Sequence, residues 1–362
     1  MKYIKNIDTI CILVDILDYE KDAERILTIL DNEKNNAKSI DDMNYKHIIN
    51  IGNLSFQIFN VGTKGYSYIL HNDGYQINIA QYRSKIQSFY PIQVRISSEY
   101  LWSIGIIKAW SLIYDWIENN FGKIKDTKVY RIDLCLHTSD VDFITNYEKV
   151  YKGKYKKYTT TFNGLKINSI CFGTRKGKNI YCRIYDKTLE IRETKSKSWF
   201  NEIWRKNGID IENVWNLEFE IKSEFLRELK LNTIEEVCSC LPNLWRYCTE
   251  EWLVKIDRTN ARVERCNINS SWIIIQKAYD EFHSKGYIPR QKQISMDAEV
   301  LLPNIVGSIT SYSARINNVN MQTVFKQLYK DILKYMERKE KDFGKEVNSK
   351  IKILREERRK NI

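Results

Sequence analysis

The sequence predicts an α+β protein: a mixed or largely antiparallel sheet core with flanking helices, followed by a mostly helical C-terminal region. Three observations carry this reading. Short segments of the first 222 residues alternate apolar and polar side chains, the period of a strand with one buried face. Ser98–Phe121 instead repeats Trp102, Ile106, Trp110, Ile113 and Ile117 at helical spacing and closes at Gly122. From about Ser223 the pattern turns helical to the end. The expected division is therefore a core over 1–225, with a strand-helix-meander part over 1–97 and a sheet over 98–225. A helical region follows over 226–362, with a basic helical tail over 322–362.

The elements are justified in order. Ile10–Ile16 reads as a strand, and Lys21–Glu33 as a helix with Ile26, Leu27 and Leu30 inward. Ile48 to Gln81 alternates around turn signals such as Asn72-Asp73-Gly74, a strand meander. Ile92, Val94 and Ile96 place Ile92–Ser97 as a further strand. The 362 residues are 43% hydrophobic, enough for a core and against disorder over most of the length. Only 14 glycines and 4 prolines exclude collagen-like and low-complexity classes. No apolar run approaches the roughly 18 residues of a membrane span. Asp8, Asp15 and Asp18 punctuate the apolar N-terminus, which reads as a strand and not a signal peptide. Cys11, Cys135, Cys171, Cys182, Cys238, Cys240, Cys248 and Cys266 form no C-x-x-C pair. They read as reduced thiols of a cytoplasmic protein.

Charge gives the first functional direction. Fifty-eight Lys and Arg oppose 46 Asp and Glu, a net charge of +12. Tyr151 to Lys187 holds ten basic residues against Asp186 alone, so this stretch carries +9. Tyr151, Tyr155, Tyr158, Phe162, Phe172 and Tyr181 are interleaved with the bases. Lys and Arg neutralise phosphates and aromatic rings stack on unpaired bases, so the stretch suits single-stranded or distorted DNA. Its expected DNA contacts are Lys154, Lys156, Lys157, Arg175, Lys176, Lys178 and Tyr181. The tail from Lys330 holds 12 basic and 7 acidic residues and reads as a solvated, self-associating or DNA-tracking helix.

Three strands carry the chemistry. In Val129–His137, Tyr130, Ile132, Leu134 and Leu136 share one face; Arg131, Asp133, Cys135 and His137 share the other. In Ile180–Lys187, Tyr181, Arg183, Tyr185 and Lys187 oppose Ile180, Cys182 and Ile184. In Val214–Lys222, Asn216, Glu218, Glu220 and Lys222 oppose Trp215, Leu217, Phe219 and Ile221. With the apolar faces packed on helices, Asp133, His137, Tyr185, Glu218 and Glu220 would gather on one open surface. Oxygen ligands with one imidazole suit Mg²⁺ or Mn²⁺. Tyr185 could attack a phosphate held by Arg183 and Lys187. Taken singly, each of these side chains is also an ordinary occupant of a solvated strand face.

The segment Phe172-Gly173-Thr174-Arg175, with Arg183-Ile184-Tyr185-Asp186-Lys187 and Glu190, resembles the Rep_trans family of rolling-circle replication initiators, related to conjugative-element relaxases. Arg131-Ile132-Asp133-Leu134 is similar to that family's R-[LI]-D strand, and Val214–Lys222 to its W-R-[VL]-E strand. The resemblance is good over about Gln93–Lys222. It implies a site-specific, metal-dependent DNA nickase with Tyr185 as nucleophile, forming a 5′-phosphotyrosine link and a free 3′-OH that primes replication. Asp133 and Glu218 would be its metal carboxylates, with Glu220 and Glu190 as weaker candidates. Two departures stand out: His137 where a second Asp is frequent, and Asn216 where Arg is common.

The implied partners are origin DNA, single-stranded or in a hairpin at the nick, with a host helicase and polymerase, and a second copy in a homodimer. Gly173 to Lys178 lacks Walker A spacing, so no ATPase is implied. No His-hydrophobic-His pair occurs, which excludes the His-ligated relaxase type. Element transfer with the same chemistry and a catalytically silent DNA-binding protein are the alternative readings. Tyr181 is an alternative nucleophile.

Overall fold

The computed structural model describes residues 1–38, 47–82, 89–177, 179–282 and 302–359. It is α+β, built on strands β1 (Ile4–Ile16), β2 (Ile48–Ile51), β3 (Leu54–Ile58), β4 (Tyr68–His71), β5 (Tyr75–Ile79), β6 (Ile92–Ile96) and β7 (Ile124–Thr138). They continue with β8 (Tyr151–Gly153), β9 (Tyr158–Asn163), β10 (Lys166–Phe172), β11 (Ile180–Asp186), β12 (Trp215–Lys222) and β13 (Leu253–Lys255). Eleven strands form one antiparallel sheet in the order β2-β3-β4-β5-β6-β1-β7-β12-β11-β10-β9. β8 and β13 pair separately. Consecutive strands joined by turns explain the meander β2–β6. The centre instead pairs strands distant in sequence, β1 with β7 and β7 with β12.

The main core lies on one face of this sheet. Ile10, Ile12, Val14, Ile132, Leu134, Leu136, Ile184, Leu217 and Phe219 point into it. The helices Glu24–Lys38 and Gly105–Phe121 contribute Ile26, Leu30, Ile106, Ile113 and Ile117. Trp245, Trp272 and Tyr279 also belong to it, so part of the C-terminal helical region completes the same core. The Tyr279 hydroxyl, with its single proton shared between the carbonyls of Asn6 at 2.7 Å and Cys135 at 2.9 Å, also accepts from the Cys135 N–H, bonding to the backbone of both central strands.

Two local departures from regularity redirect side chains. The helix expected over Ser98–Phe121 is two, Ser98–Ser103 and Gly105–Phe121, which meet at Ile104. Gly105 has φ +76°, a conformation open to glycine, and the chain turns there. Trp102 thereby leaves the expected stripe. It packs with Phe200 and Trp204 in a second cluster, while Ile106, Ile113 and Ile117 stay in the main core. In β7 the pairing with β1 skips Tyr130 between Val129 and Arg131. Tyr130 is accordingly absent from the core face expected for it and lines a pocket with Lys128 and Asp126.

The chain divides into two compact units, Met1–Pro289 and Arg290–Ile362. The division lies beyond the boundary expected near 225, because the aromatic residues between 241 and 282 are needed to close the sheet's core. The second unit consists of helices Leu302–Arg315, Met321–Arg338 and Phe343–Arg359, with Asn320 capping the second through Thr323 N–H at 3.0 Å. Among the described residues no helix is long and apolar enough to cross a membrane.

A chain cut after residue 225 should aggregate, because the apolar floor of the sheet would lose Trp245, Trp272 and Tyr279. A chain cut after residue 289 should stay monomeric and unfold cooperatively in urea. Size-exclusion chromatography with circular dichroism distinguishes the two.

Candidate active site

The three chemistry-bearing strands are neighbours, in the order β7-β12-β11, and their registers align the polar residues in rows. Asp133 faces Glu220, Glu220 faces Tyr181, Glu218 faces Cys135 and Arg183, and Asn216 faces His137 and Tyr185. The sequence-predicted juxtaposition of Asp133, Glu218, Glu220, Arg183 and Tyr185 is therefore present, with each side chain placed by strand alternation.

Tyr185 is the centre of a hydrogen-bond network. Its hydroxyl accepts from Asn216 Nδ2 at 2.9 Å and from Lys187 Nζ at 3.1 Å. It donates to Glu218 Oε2 at 3.3 Å. Arg183 bonds Glu218 Oε1 and lies 5.4 Å from the centre of the Tyr185 ring. Burial raises the phenol's pKa well above its ordinary value; Lys187 pulls it down, while Glu218, Glu190 and Asp8 push it further up. The resting group is thus a neutral phenol beside a base. Tyr185 and Arg183 line a pocket of about 240 Å³ with Asn168, Ser169, Cys171 and Glu190.

Lys187 is not on a strand face, as the alternation implied, but is the first residue of helix Lys187–Thr194. Asp186 ends β11 and caps that helix by accepting from Leu189 N–H at 2.8 Å. The turn carries the fully buried Lys187 ammonium back over the Tyr185 ring, where it also meets Glu190 at 2.5 Å.

The polar face is not open as expected. Helices Lys187–Thr194 and Phe200–Lys206 roof one end of it, with Ile191, Phe200 and Trp204 joining Trp102. His137 lies in this roofed part, its ring centre 4.8 Å from Phe200 and 5.3 Å from Trp102. Its Nδ1 accepts from Trp204 Nε1 at 3.1 Å. Burial lowers its pKa well below the ordinary value, and Lys187 adds to this. A neutral ring accepting at Nδ1 carries its proton on Nε2, which is buried without a partner. In this arrangement His137 therefore offers no lone pair for a cation, contrary to the sequence-based expectation.

The expected carboxylate ligands are also engaged. Asp133, Glu218 and Glu220 are 1%, 1% and 3% exposed. Arg131 grips Asp133 with two bonds, at 2.8 and 2.6 Å, and reaches Glu220 at 2.9 Å. Lys222 holds the other Glu220 oxygen at 3.0 Å. Each of the three carboxylates thus has a cationic partner, although Glu220 Oε2 meets Arg131 without forming a hydrogen bond. Burial raises Asp133 up to about 7, Arg131 pulling against it and Glu218 and Glu220 adding to it. Among the described residues no three His, Cys, Asp or Glu side chains converge as a metal cage. The arrangement fits guanidinium and ammonium groups; Mg²⁺ or Mn²⁺ does not fit it without displacing one of them.

The expected DNA contacts separate. Lys156, Lys157, Arg175 and Lys176 are exposed at the end of the sheet where β10 leads into β11. Lys222 ties the Arg175–Gly177 loop there, donating to Gly177 O at 2.8 Å. Lys154 pairs with Glu251 at 2.6 Å and lies over the Tyr247 ring. Tyr181 is only 8% exposed, so its ring is not presented for stacking on bases, and its phenol is raised by burial and by a hydrogen bond with Cys171. Lys178 lies outside the described residues.

Asp8 was missed. It stands at a bulge of β1, between Ile7 paired with Leu134 and Thr9 paired with Asp133. Bulges re-aim side chains and are frequent beside active sites. Burial opposes its ionisation, but the cations Lys197, Lys187 and Arg183 favour it, and the pKa falls to about 2. An Asp in an apolar strand, Ile7-Asp8-Thr9-Ile10, was the available signal.

No family model matches the chain, and no curated protein matches it. Among solved structures, a rolling circle replication initiator protein from Geobacillus stearothermophilus is similar with a TM-score of 0.47 and 11% identity, covering 78% of this chain and 98% of that chain.

Asp8 stabilises the fold above its unfolded pKa of about 4, and that contribution is lost as pH falls toward about 2. Asp8→Asn should therefore lower stability at pH 7 by roughly 1–3 kcal/mol. The difference from wild type should shrink between pH 5 and pH 2 in urea titrations.

Proposed function

We propose that this protein initiates replication by nicking one DNA strand with Tyr185. The observation that carries the reading is the Tyr185 phenol itself, set at a pocket between an acceptor, Glu218, and two donors, Lys187 and Asn216. The resemblance of β7, β11 and β12 to the motif strands of rolling-circle initiators agrees with it. In the proposed step the Tyr185 oxygen attacks a backbone phosphorus and its proton passes to Glu218. The bond from phosphorus to the 3′-oxygen breaks, and that oxygen takes a proton from solvent. The products are a 5′-phosphotyrosine link and a free 3′-OH.

Lys187 and Arg183 carry the positive charge that the pentavalent phosphate needs. Asn216 fixes the direction of the phenol, a task for which an uncharged amide suffices. The bond energy is retained in the phosphotyrosine, so the reverse attack by a 3′-OH recloses the strand. The exposed bases Lys156, Lys157, Arg175 and Lys176 would hold the flanking phosphates. Polymerase extension from the 3′-OH would make the cut an origin, and a helicase would open the duplex beyond it. Conjugative transfer of the linked strand uses the same chemistry and remains the alternative use.

Supercoiled DNA of the protein's own element, incubated with wild type in Mg²⁺ or Mn²⁺, should yield nicked circles with protein attached. Tyr185→Phe keeps the ring's packing and should abolish the adduct on denaturing gels. Glu218→Gln should slow nicking about 10²–10⁴-fold, the usual contribution of a positioned base. An undiminished adduct from Tyr185→Phe would overturn the assignment of the nucleophile.

A further inference from the structure

The β9–β10 hairpin combines features that the proposed nick does not use. It forms one edge of the sheet, and every residue of β9 but Thr160 is exposed. Its tip presents apolar groups to water: Phe162 is 58% exposed and Leu165 100%. Gly164, with φ +61°, makes the tight reversal between the strands. The hairpin is nevertheless anchored. Asn163 Nδ2 donates to Glu193 Oε1 at 2.9 Å, and Thr161 Oγ1 meets Ser169 Oγ at 2.6 Å.

The same hairpin forms a wall of the Tyr185 pocket. Ser169 pairs with Tyr185 in register, and Asn168, Ser169 and Cys171 line the pocket. A β-bulge at Asn168 turns it to the pocket side with Ser169. Phe162 alternates to the opposite face, and Leu165 stands at the end. The Asn163–Glu193 bond sets the tip at the rim of the pocket, which Glu193 lines, with Phe162 on the far side.

On these grounds we propose that the β9–β10 hairpin is a wedge that parts duplex DNA, with Phe162 and Leu165 packing against the last base pair while one strand enters the Tyr185 pocket. This rests on the nicking function proposed above and names how its substrate becomes single-stranded. Exposed aromatic and aliphatic side chains substitute for the stacking that a base loses when its neighbour is removed. Lys166 beside the tip, and Lys156, Lys157, Arg175 and Lys176 at the opposite end of the hairpin, all exposed, would meet phosphates along the strand. The uncharged edge strand could instead pair with a second copy. That pairing would bring two segments of net +9 together, which like-charge repulsion opposes.

The test uses full-length protein and a forked oligonucleotide duplex with 2-aminopurine in its last base pair. Wild type should raise the 2-aminopurine emission as that pair opens. The variant Phe162→Ser/Leu165→Ser alters only exposed side chains. It should bind an unpaired oligonucleotide as wild type does, leave the fork's emission near that of free DNA, and lose about tenfold in fork affinity. A variant that opens the fork like wild type, or that loses unpaired and forked DNA equally, overturns the wedge. So does a wild-type dimer, seen by sedimentation, that the variant alone dissociates. If wild type forms the Tyr185 adduct and the variant still opens the fork, the wedge alone fails. If wild type forms no adduct, the nicking reading itself fails.

Discussion

Three carboxylates on two adjacent strands are removed from water, and each is held by a cation from the same sheet face. Arg131 bridges Asp133 and Glu220, Lys222 takes the other Glu220 oxygen, and Arg183 takes Glu218. Neither sign is stable there alone: removing one partner of a buried pair typically costs about 3–5 kcal/mol. Arg131–Asp133 and Lys222–Glu220 lie within one strand each, but the cross-strand pairs Arg131–Glu220 and Arg183–Glu218 form only when β7, β12 and β11 are in register, because a slip of one residue would send every charged group into the main core. This ladder thus selects one strand pairing and positions Glu218 beside Tyr185 in the same act.

The ladder also determines what chemistry the site is prepared for. Its positive charges are held by oppositely charged neighbours, so Arg183 is oriented before any ligand arrives. Lys187 reaches the phenol from a helix start and not from the strand, which lets it lie across the ring and touch the hydroxyl. The aromatic roof of Trp102, Phe200 and Trp204 excludes water behind Tyr185 and holds His137 neutral. Electrostatic interactions inside such a dry compartment are stronger than on an open sheet face. The site is therefore a half-roofed chamber, with access from the β9–β10 side through the pocket that Ser169 and Glu190 help to line.

Much of this was legible in the residues. Alternation located β7, β11 and β12, and their polar faces brought Asp133, Glu218, Glu220, Arg183 and Tyr185 together as expected. Less was legible wherever the chain breaks its period. The bulges at Asp8 and Tyr130 and the turn at Gly105 each move one side chain to a face that a regular strand or helix would deny it. Trp102 is the clearest instance: at helical spacing it belongs to the core stripe, yet it covers His137. His137 reads as a possible ligand until its Trp204 partner assigns the proton to Nε2.

By itself the sequence determined the α+β class, the three motif strands and the group of residues around Tyr185. Those properties follow from local period and composition, which act over a few residues. Only the tertiary structure decided that the polar face is roofed, that the carboxylates hold cations, that Tyr181 is buried, and that the helical segment up to 282 belongs to the sheet's own core. Each of these depends on elements far apart in the chain meeting across a solvent-excluded gap. Tyr279 bonding to the backbone at Asn6 and Cys135 is such a meeting. Whether a polar side chain faces water or a partner is a property of that gap, and no short stretch of residues contains it.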